Sequence, residues 1–312
     1  MDATGTSGYR ALRAEAAWMD LSARGKLRAT GDDRARLLHA ITTQQVEAMQ
    51  PGDGCYTFFL NAQGRILGDA HLLCRDDSLW IDTEPETRQK LFEHIDRYII
   101  ADDVTLEDIT EQFATIAIEG PAAGTVLDKL GGPAPASAFG NLNWGDRVVA
   151  RISSTGAGGF FVLLPSAAKD QLITELRSAG VPKASEEDAR TVRIENGRPR
   201  YGDEITERYL VQETGQLHAV NVNKGCYLGQ EIVERVRSRA QIHRVLRRLE
   251  ISALEAPVAG SKLKSGDADA GEIVSAVFSP ALQRVSAMAY VRTPSAEPGT
   301  QLEIGGALAR VL

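Results

Sequence analysis

The 312-residue sequence is short of the residues on which several large function classes depend. It has only three cysteines, Cys55, Cys74 and Cys226, an odd number with no CxxC spacing. Neither a disulfide framework nor a self-contained zinc or iron–sulfur site is indicated, and no metal ligand is assigned. The five histidines (His39, His71, His94, His218, His243) never occur as HExxH or as a closely spaced pair, which removes zinc hydrolysis. No run of about 18 apolar residues is present to span a bilayer, and residues 1–24 hold no apolar stretch of signal-peptide length. The expectation is a cytoplasmic protein without a membrane partner. A basic excess is also missing: 35 Lys and Arg stand against 42 Asp and Glu, for a net charge of −7. That balance excludes a general nucleic-acid binder, whose affinity rests on neutralising phosphates. Aromatic residues make up 6 %, too few for a stacking partner to be picked out by abundance.

Familiar nucleotide and nucleophile motifs are absent too. Thr155-Gly156-Ala157-Gly158-Gly159-Phe160 lacks GxGxxG spacing and leads into a strand-like run, so it is no dinucleotide loop. Gly25-Lys26-Leu27 has neither the upstream glycine nor the following Ser or Thr of a phosphate-cradling loop. Cys226 is not centred in a Gly-x-Cys-x-Gly elbow.

What is present is an ordinary globular composition, 43 % hydrophobic and 25 % charged, long enough for two or three domains. Asp32 and Asp33 suit the cap of a helix carrying Leu37, Leu38, Ile41 and Val46 inward. Strands are expected over 55–60 and 65–74, joined by the turn Asn61-Ala62-Gln63-Gly64, and over 78–82. A helix over 86–100, a strand over 113–118, a breaker-rich loop at 131–138 and a helix over 166–179 follow. From Arg244 onward short β-like runs (245–251, 271–278, 285–291, 301–304) suggest a small all-β domain. The composition shift sets the boundary at 240/241, giving a mixed α+β unit over 1–240 and a β unit over 241–312.

The most distinctive segment is Lys224-Gly225-Cys226-Tyr227-Leu228-Gly229-Gln230-Glu231. A strand-like run over 218–222 precedes it, and a helix is expected over 231–239. Cys226 would then lie near a helix N-terminus, where the dipole and Lys224 both favour thiolate. A small buried hydrophobe held by a tight turn is the competing reading. Cys55 and Cys74, in apolar runs, read as buried structural residues. Downstream, Arg235, Arg237, Arg239, His243, Arg244, Arg247 and Arg248 form a basic stretch that either attracts an anion or is a solvated surface. Glu231 and Arg235 have the i,i+4 spacing of an ion pair.

The octapeptide, followed by Ile232-Val233-Glu234-Arg235, resembles the signature of the YgfZ family, folate-binding relatives of the glycine cleavage T-protein that serve iron–sulfur cluster assembly. The resemblance extends through Leu21 to Leu27, Gly31-Asp32-Asp33-Arg34, Thr42-Thr43, the segment Asn61 to Asp69, Arg190 to Gly197 and Tyr201-Gly202-Asp203-Glu204, covering most of the chain. It implies a T-protein-like ring of two intertwined α+β lobes plus a small C-terminal β-barrel, with tetrahydrofolate, or a one-carbon derivative, in the central opening. It also implies iron–sulfur client or scaffold proteins as partners and a transient contact with their clusters. Glu195 matches the glutamate with which T-proteins hold the pterin, and a carboxylate suits the paired N–H groups of an aminopyrimidine edge. Asp69 matches one acid of the aminomethyltransferase catalytic pair, while Gly68 replaces the other. Phe161 stands where those enzymes carry an acid.

Cys226, Lys224 and Asp69 are accordingly the candidate catalytic residues. Glu195, Tyr227, Gln230, Glu231 and Arg235 are the candidate cofactor contacts, with the arginines of 235–248 as a lip for the glutamate tail of folate. A folate-dependent assembly factor with a reactive cysteine is the first reading. An aminomethyltransferase-like enzyme, which would not need Cys226, is the alternative, and a pure interaction protein is a third.

Overall fold

The computed structural model describes residues 5–239 and 242–312, with the Arg239 side chain left aside. In chain order the elements are α1 (Ser7–Ala14), β1 (Ala17–Asp20), β2 (Gly25–Thr30), α2 (Arg34–Ile41), β3 (Gly54–Leu60), β4 (Ile66–Cys74), β5 (Ser78–Thr83), α3 (Arg88–Asp96), β6 (Thr105–Asp108), β7 (Phe113–Glu119) and α4 (Ala123–Lys129). They continue as β8 (Asn141–Trp144), β9 (Arg147–Ala150), β10 (Gly159–Pro165), α5 (Lys169–Ser178), α6 (Glu186–Glu195) and α7 (Gln230–Arg239). The C-terminal strands are β11 (Arg244–Ile251), β12 (Lys262–Ser265), β13 (Ala268–Ser279), β14 (Arg284–Arg292), β15 (Gln301–Ile304) and β16 (Ala307–Val311).

Two antiparallel five-stranded sheets form the first unit. One has the order β1-β7-β10-β9-β8 and the other β3-β4-β5-β2-β6, so the chain enters the first sheet, builds the whole second sheet, and returns. That interleaving is the pair of intertwined α+β lobes. The six C-terminal strands close into a barrel of order β11-β14-β13-β12-β15-β16, which leaves no open edge among them.

Each sheet is buried on both faces. In the second sheet Leu27, Ala29, Phe59, Ala70, Leu72, Leu79 and Ile81 point one way and pack on Leu37, Leu38 and Ile41 of α2 and on Leu91 and Ile95 of α3. In the first sheet Trp18, Ile116, Ile118, Phe160 and Val162 pack on α4 and α5 through Val126, Leu127, Leu172 and Leu176. The remaining faces meet: Met19, Ala117 and Phe161 of the first sheet share a cluster with Leu73 and Trp80 of the second and with Leu12 and Val192 of the helices. Side chains alternate along a strand, so every second residue of β4 and β5 faces this inner space.

Local rules explain several boundaries. Thr6 accepts from Tyr9 N at 3.1 Å to cap α1, and Ser185 with Asp188 forms a capping box at the start of α6. The β3–β4 turn is held by Asn61 Oδ1, which accepts from Gln63 N and Arg65 N at 2.9 and 3.0 Å. Gly64, at φ 69°, lies against Ile232, which a Cβ there would meet at 2.8 Å.

Two expected elements differ. The 218–222 strand is a 3-10 turn over Leu217–Ala219 followed by loop, because Asn221 N bonds to Thr43 O at 2.8 Å and ties the chain to the end of α2 instead of to a sheet. The helix expected over 86–100 opens with a 3-10 turn over Pro85–Thr87, runs as α3 and ends at Asp96. The boundary placed at 240/241 lies outside the described residues. No helix of the described residues is long and apolar enough to cross a membrane.

Candidate active site between the lobes

A cavity of about 740 Å³ opens between the inner faces of the two sheets. Its floor is built by strand register. Tyr56 of β3 lies opposite His71 of β4, and His71 lies opposite Asp82 of β5. Two residues along the same faces stand Asp69 and Glu84, and Phe161 of β10 closes the space from the other sheet. The loop 153–155 forms another wall. It is fastened by the fully buried Glu119, whose carboxylate accepts from Ser153 Oγ (2.7 Å), Ser154 N (2.7 Å) and Thr155 N (2.9 Å). Lys183, Arg190, Arg198 and Arg200 line the cavity from α6 and its flanking loops.

The polar groups form two connected sets. Arg24 grips Asp82 through Nε (3.0 Å) and Nη2 (2.7 Å), and reaches Glu84 with Nη1. Glu84 is also held by Arg200 at 2.9 Å. Burial opposes ionisation of Asp82, but the Arg24 guanidinium and the His71 contact outweigh it and hold the carboxyl well below the usual carboxylate range. In the other set Tyr56 donates to Asp69 Oδ2 at 2.6 Å, and the Arg198 guanidinium lies 5.4 Å from the Tyr56 ring centre. Burial, reinforced by the Glu84 carboxylate, pushes Asp69 up to about 6 against the Tyr56 hydrogen bond. Burial also lowers the pKa of His71. Two carboxyls of one sheet are therefore driven apart, Asp82 held ionised behind His71 and Asp69, on the cavity wall, poised to take up a proton near neutrality.

The comparisons with known proteins cover both units of this architecture. Residues 1–224 match the GCVT N-terminal domain, and residues 244–311 match the glycine cleavage T-protein C-terminal barrel domain. The chain belongs to the glycine cleavage T-protein family. A putative chloroplastic transferase of Arabidopsis thaliana is 29 % identical over 295 residues, spanning 92 % of this chain and 68 % of the relative. An aminomethyltransferase of Rubrobacter xylanophilus is 29 % identical over 304 residues, spanning 95 % and 81 %. The crystal structure of glycine cleavage system aminomethyltransferase T from Bartonella henselae superposes with a TM-score of 0.89 at 20 % identity, covering 98 % of this chain and 87 % of that one. The fold is thus that of the T-proteins.

Within this T-protein fold the residues singled out from the sequence fall in different places. Asp69 lines the cavity. Glu195 does not: it is the last residue of α6, 5 % exposed, with its carboxylate taken by Tyr9 Oη (2.6 Å) and by the Arg13 guanidinium. Expected as a contact to the pterin, Glu195 is instead covered by α1, which packs on α6 and claims its carboxylate. Burial, helped by the hydrogen bond to Glu195, raises the pKa of Tyr9, consistent with a hydroxyl that serves as donor there.

Lys224, Cys226, Tyr227, Gln230, Glu231 and Arg235 are also outside the cavity lining. Lys224 is buried and donates to the carbonyls of His39 and, at 2.6 Å, of Thr42. A helix C-terminus leaves such carbonyls without partners, so the ammonium caps α2 instead of standing free to act on Cys226. Burial lowers it to about 8. Tyr227 is buried beneath it, in the cluster of Phe58, Leu60, Val211 and Val233, which makes it a core residue. Gln230 Oε1 accepts from Tyr227 N at 3.3 Å, a local turn bond. Glu231 and Arg235 are exposed, and the ion pair formed among the described residues of α7 is Arg237–Glu234. Cys226 is exposed in the loop before α7, four residues ahead of Gln230 and not at the helix terminus itself.

The basic lip does not assemble. Arg244 pairs with Glu213 and Arg248 donates to Glu195 O at 2.5 Å, so these two side chains brace the barrel against the core, while Arg247 donates to Ala296 O at 2.8 Å within the barrel. The sequence reading missed Arg24, Tyr56, His71, Asp82, Glu84, Arg198 and Arg200. A signal for some of them was present: Arg24-x-Lys26, Asp69-x-His71 and Asp82-x-Glu84 each place polar residues two apart, in or beside otherwise apolar strands, which marks one face of a sheet as functional.

Proposed function

We propose that this protein binds tetrahydrofolate or a one-carbon derivative in the cavity between its lobes, and that it supports iron–sulfur proteins through the exposed thiol of Cys226. The cavity carries the first half of this reading. About 740 Å³ is of the size that small-molecule sites take, and its lining combines aromatic surface with a few fixed polar groups. The residues present suit the group. Asp69 and Glu84 offer acceptors to N–H donors, the arginines and Lys183 suit a carboxylate tail, and His71 Nε2 has no partner within the protein. Bound folate would supply a carrier for a one-carbon unit. The chain's own groups would orient it, with Tyr56 fixing the Asp69 carboxyl and Asp69 able to hold or release a proton at Oδ1 or Oδ2.

The second half rests on the resemblance of the Lys224 to Arg235 segment to the YgfZ signature. It agrees with the geometry of the loop, which holds Lys224 and Tyr227 down and leaves the thiol between them outward. One observation favours the alternative of aminomethyl transfer: Asp69, buried and raised to about 6, is a competent acceptor for the proton of an amine. Against it, Gly68 and Phe161 leave Asp69 without a second acid at the matching positions.

Calorimetric titration with tetrahydrofolate tests the first half, using wild type, Asp69→Asn and Cys226→Ala. Saturable binding is expected for wild type and Cys226→Ala, weakened in Asp69→Asn. Lack of binding by wild type rules out the folate role. Activity of iron–sulfur enzymes in cells carrying Cys226→Ala tests the second half and is expected to fall. Folate-dependent turnover of a methylamine-type substrate that survives Cys226→Ala, with those enzyme activities unchanged, would establish the alternative.

A further inference from the structure

The geometry points to His71 as a fixed hydrogen-bond acceptor for the cavity's ligand, with Nε2 presented as a bare lone pair to an N–H donor. The inference rests on the folate reading and specifies one contact in it.

The tautomer follows from the partners. His71 Nδ1 stands 3.1 Å from Asp82 Oδ2, directly across the β4–β5 pair. Asp82 is gripped by Arg24 along one edge, so it is ionised and can only accept. The proton between them must belong to Nδ1, and in a neutral imidazole Nε2 then has none.

Nothing in the protein answers that lone pair. His71 is 6 % exposed and Nε2 has no hydrogen-bond partner. Its nearest rings are Tyr56 (5.3 Å), Phe139 (5.8 Å) and Phe161 (6.1 Å). The phenylalanines have no donor, and the Tyr56 hydroxyl is committed to Asp69. His71 lines the cavity and Nε2 is closed over by its lining, so the missing donor comes from a ligand that seats against the ring and displaces that cover. A buried polar atom left unpaired is unfavourable, so a ligand with an N–H at this point gains more than an exposed hydrogen bond would give. The N–H groups of a reduced pterin are donors of the required kind. A ligand offering only acceptors at this point is disfavoured, which makes His71 a determinant of which face of a heterocycle enters.

Charged groups on every side hold this state. Asp82 comes from β5, Glu84 from just after it, Asp69 from β4, Arg24 from the turn before β2, and Arg198 from the segment after α6. Arg24 and Arg198 disfavour a second proton on the ring, whereas Asp82 favours it.

The test is ¹⁵N spectroscopy of the imidazole groups together with calorimetry, using tetrahydrofolate as the probe. In wild type the His71 signals should show a protonated Nδ1 and a bare Nε2, and tetrahydrofolate should shift Nε2 toward the hydrogen-bonded position. His71→Leu removes the acceptor and should weaken binding roughly ten- to hundredfold. His71→Gln places an amide oxygen close to the Nε2 position and should restore most of the affinity, which a general packing role for the imidazole would not do. A proton found on Nε2, or undiminished binding by a folded His71→Leu, would overturn the inference and leave the folate reading intact. Lack of binding by wild type would overturn both.

Discussion

Asp69→Asn should make the protein more stable at neutral pH while impairing its site. The Asp69 carboxyl is buried, and burial together with Glu84 raises it from an ordinary 3.8 to about 6. Below about pH 4 the group is neutral in both the folded and the unfolded chain and contributes nothing unfavourable. As pH rises from about 4 to 6 the unfolded chain loses the proton while the folded one keeps it. Stability therefore falls across that window and levels off above it. A displacement of about two pH units corresponds to about 3 kcal/mol at pH 7.5. Asparagine is nearly the same shape, stays neutral, and keeps an oxygen for the Tyr56 hydroxyl, so it should recover most of that amount. For a chain of this size about 2 °C per kcal/mol gives a rise of about 6 °C in Tm. Thermal unfolding of wild type and variant at half-unit steps from pH 4 to 8 is the assay. The two curves should nearly coincide at pH 4 and separate through pH 6. A difference that does not change with pH, or a variant less stable at pH 7.5, would refute the assignment of a strained, proton-holding carboxyl to this cavity.

Two further outcomes follow from buried charge and from exposure. Glu204 is fully buried, pairs with Arg193 at 2.5 Å, accepts from Arg200 N at 2.9 Å and receives Ser275 from the barrel, so Glu204→Leu leaves the buried Arg193 guanidinium with the half-exposed Asp203 as its one remaining carboxylate beside the Arg198 carbonyl. Stability should fall by about 3–5 kcal/mol, read as a drop of about 6–10 °C in Tm, and a loss under about 2 °C would contradict a structural role for this junction. Of the three cysteines, Cys226 alone is exposed, whereas burial pushes Cys55 up to about 12 and also raises Cys74. A thiol-specific disulfide reagent at pH 8 should therefore modify Cys226 in the folded protein and all three thiols only after denaturation; rapid folded-state reaction of Cys55 would show that the β3 edge opens.

Periodicity carried many of the individual elements, whereas the two intertwined lobes and the closed barrel were implied by the family resemblance. The apolar runs 55–60, 65–74 and 113–118 read as strands that the structure confirms, and the change of rhythm after Arg244, read as four β-like runs, marks the unit that the structure closes with six strands. The site was harder to read because its members are brought together by register across strands and not by neighbourhood in sequence. Tyr56, His71 and Asp82 are separated by 15 and 11 residues yet stand in one row. Asp69 was found because it sits in a segment with a family resemblance. Glu195 sits in such a segment too, but the residues that claim its carboxylate, Tyr9 and Arg13, lie about 180 positions away on α1, and nothing local reports them.

The octapeptide shows the opposite case, a conspicuous motif most of whose residues hold a loop in place. Lys224 caps α2, Leu228 N bonds to Ala40 O at 2.9 Å, and Tyr227 fills the core. Gly229, at φ 84°, lets the loop approach Asn61 O, which a Cβ would meet at 2.7 Å. Each of these residues is explained by anchoring. Cys226 is not, since it is exposed. A loop fastened on both sides of one outward thiol presents that thiol in a defined position, and it does so outside the cavity lining. The cavity and the thiol are thus two separately built features of the same T-protein fold, and on the function proposed above any chemistry at Cys226 is addressed to a partner arriving from solution.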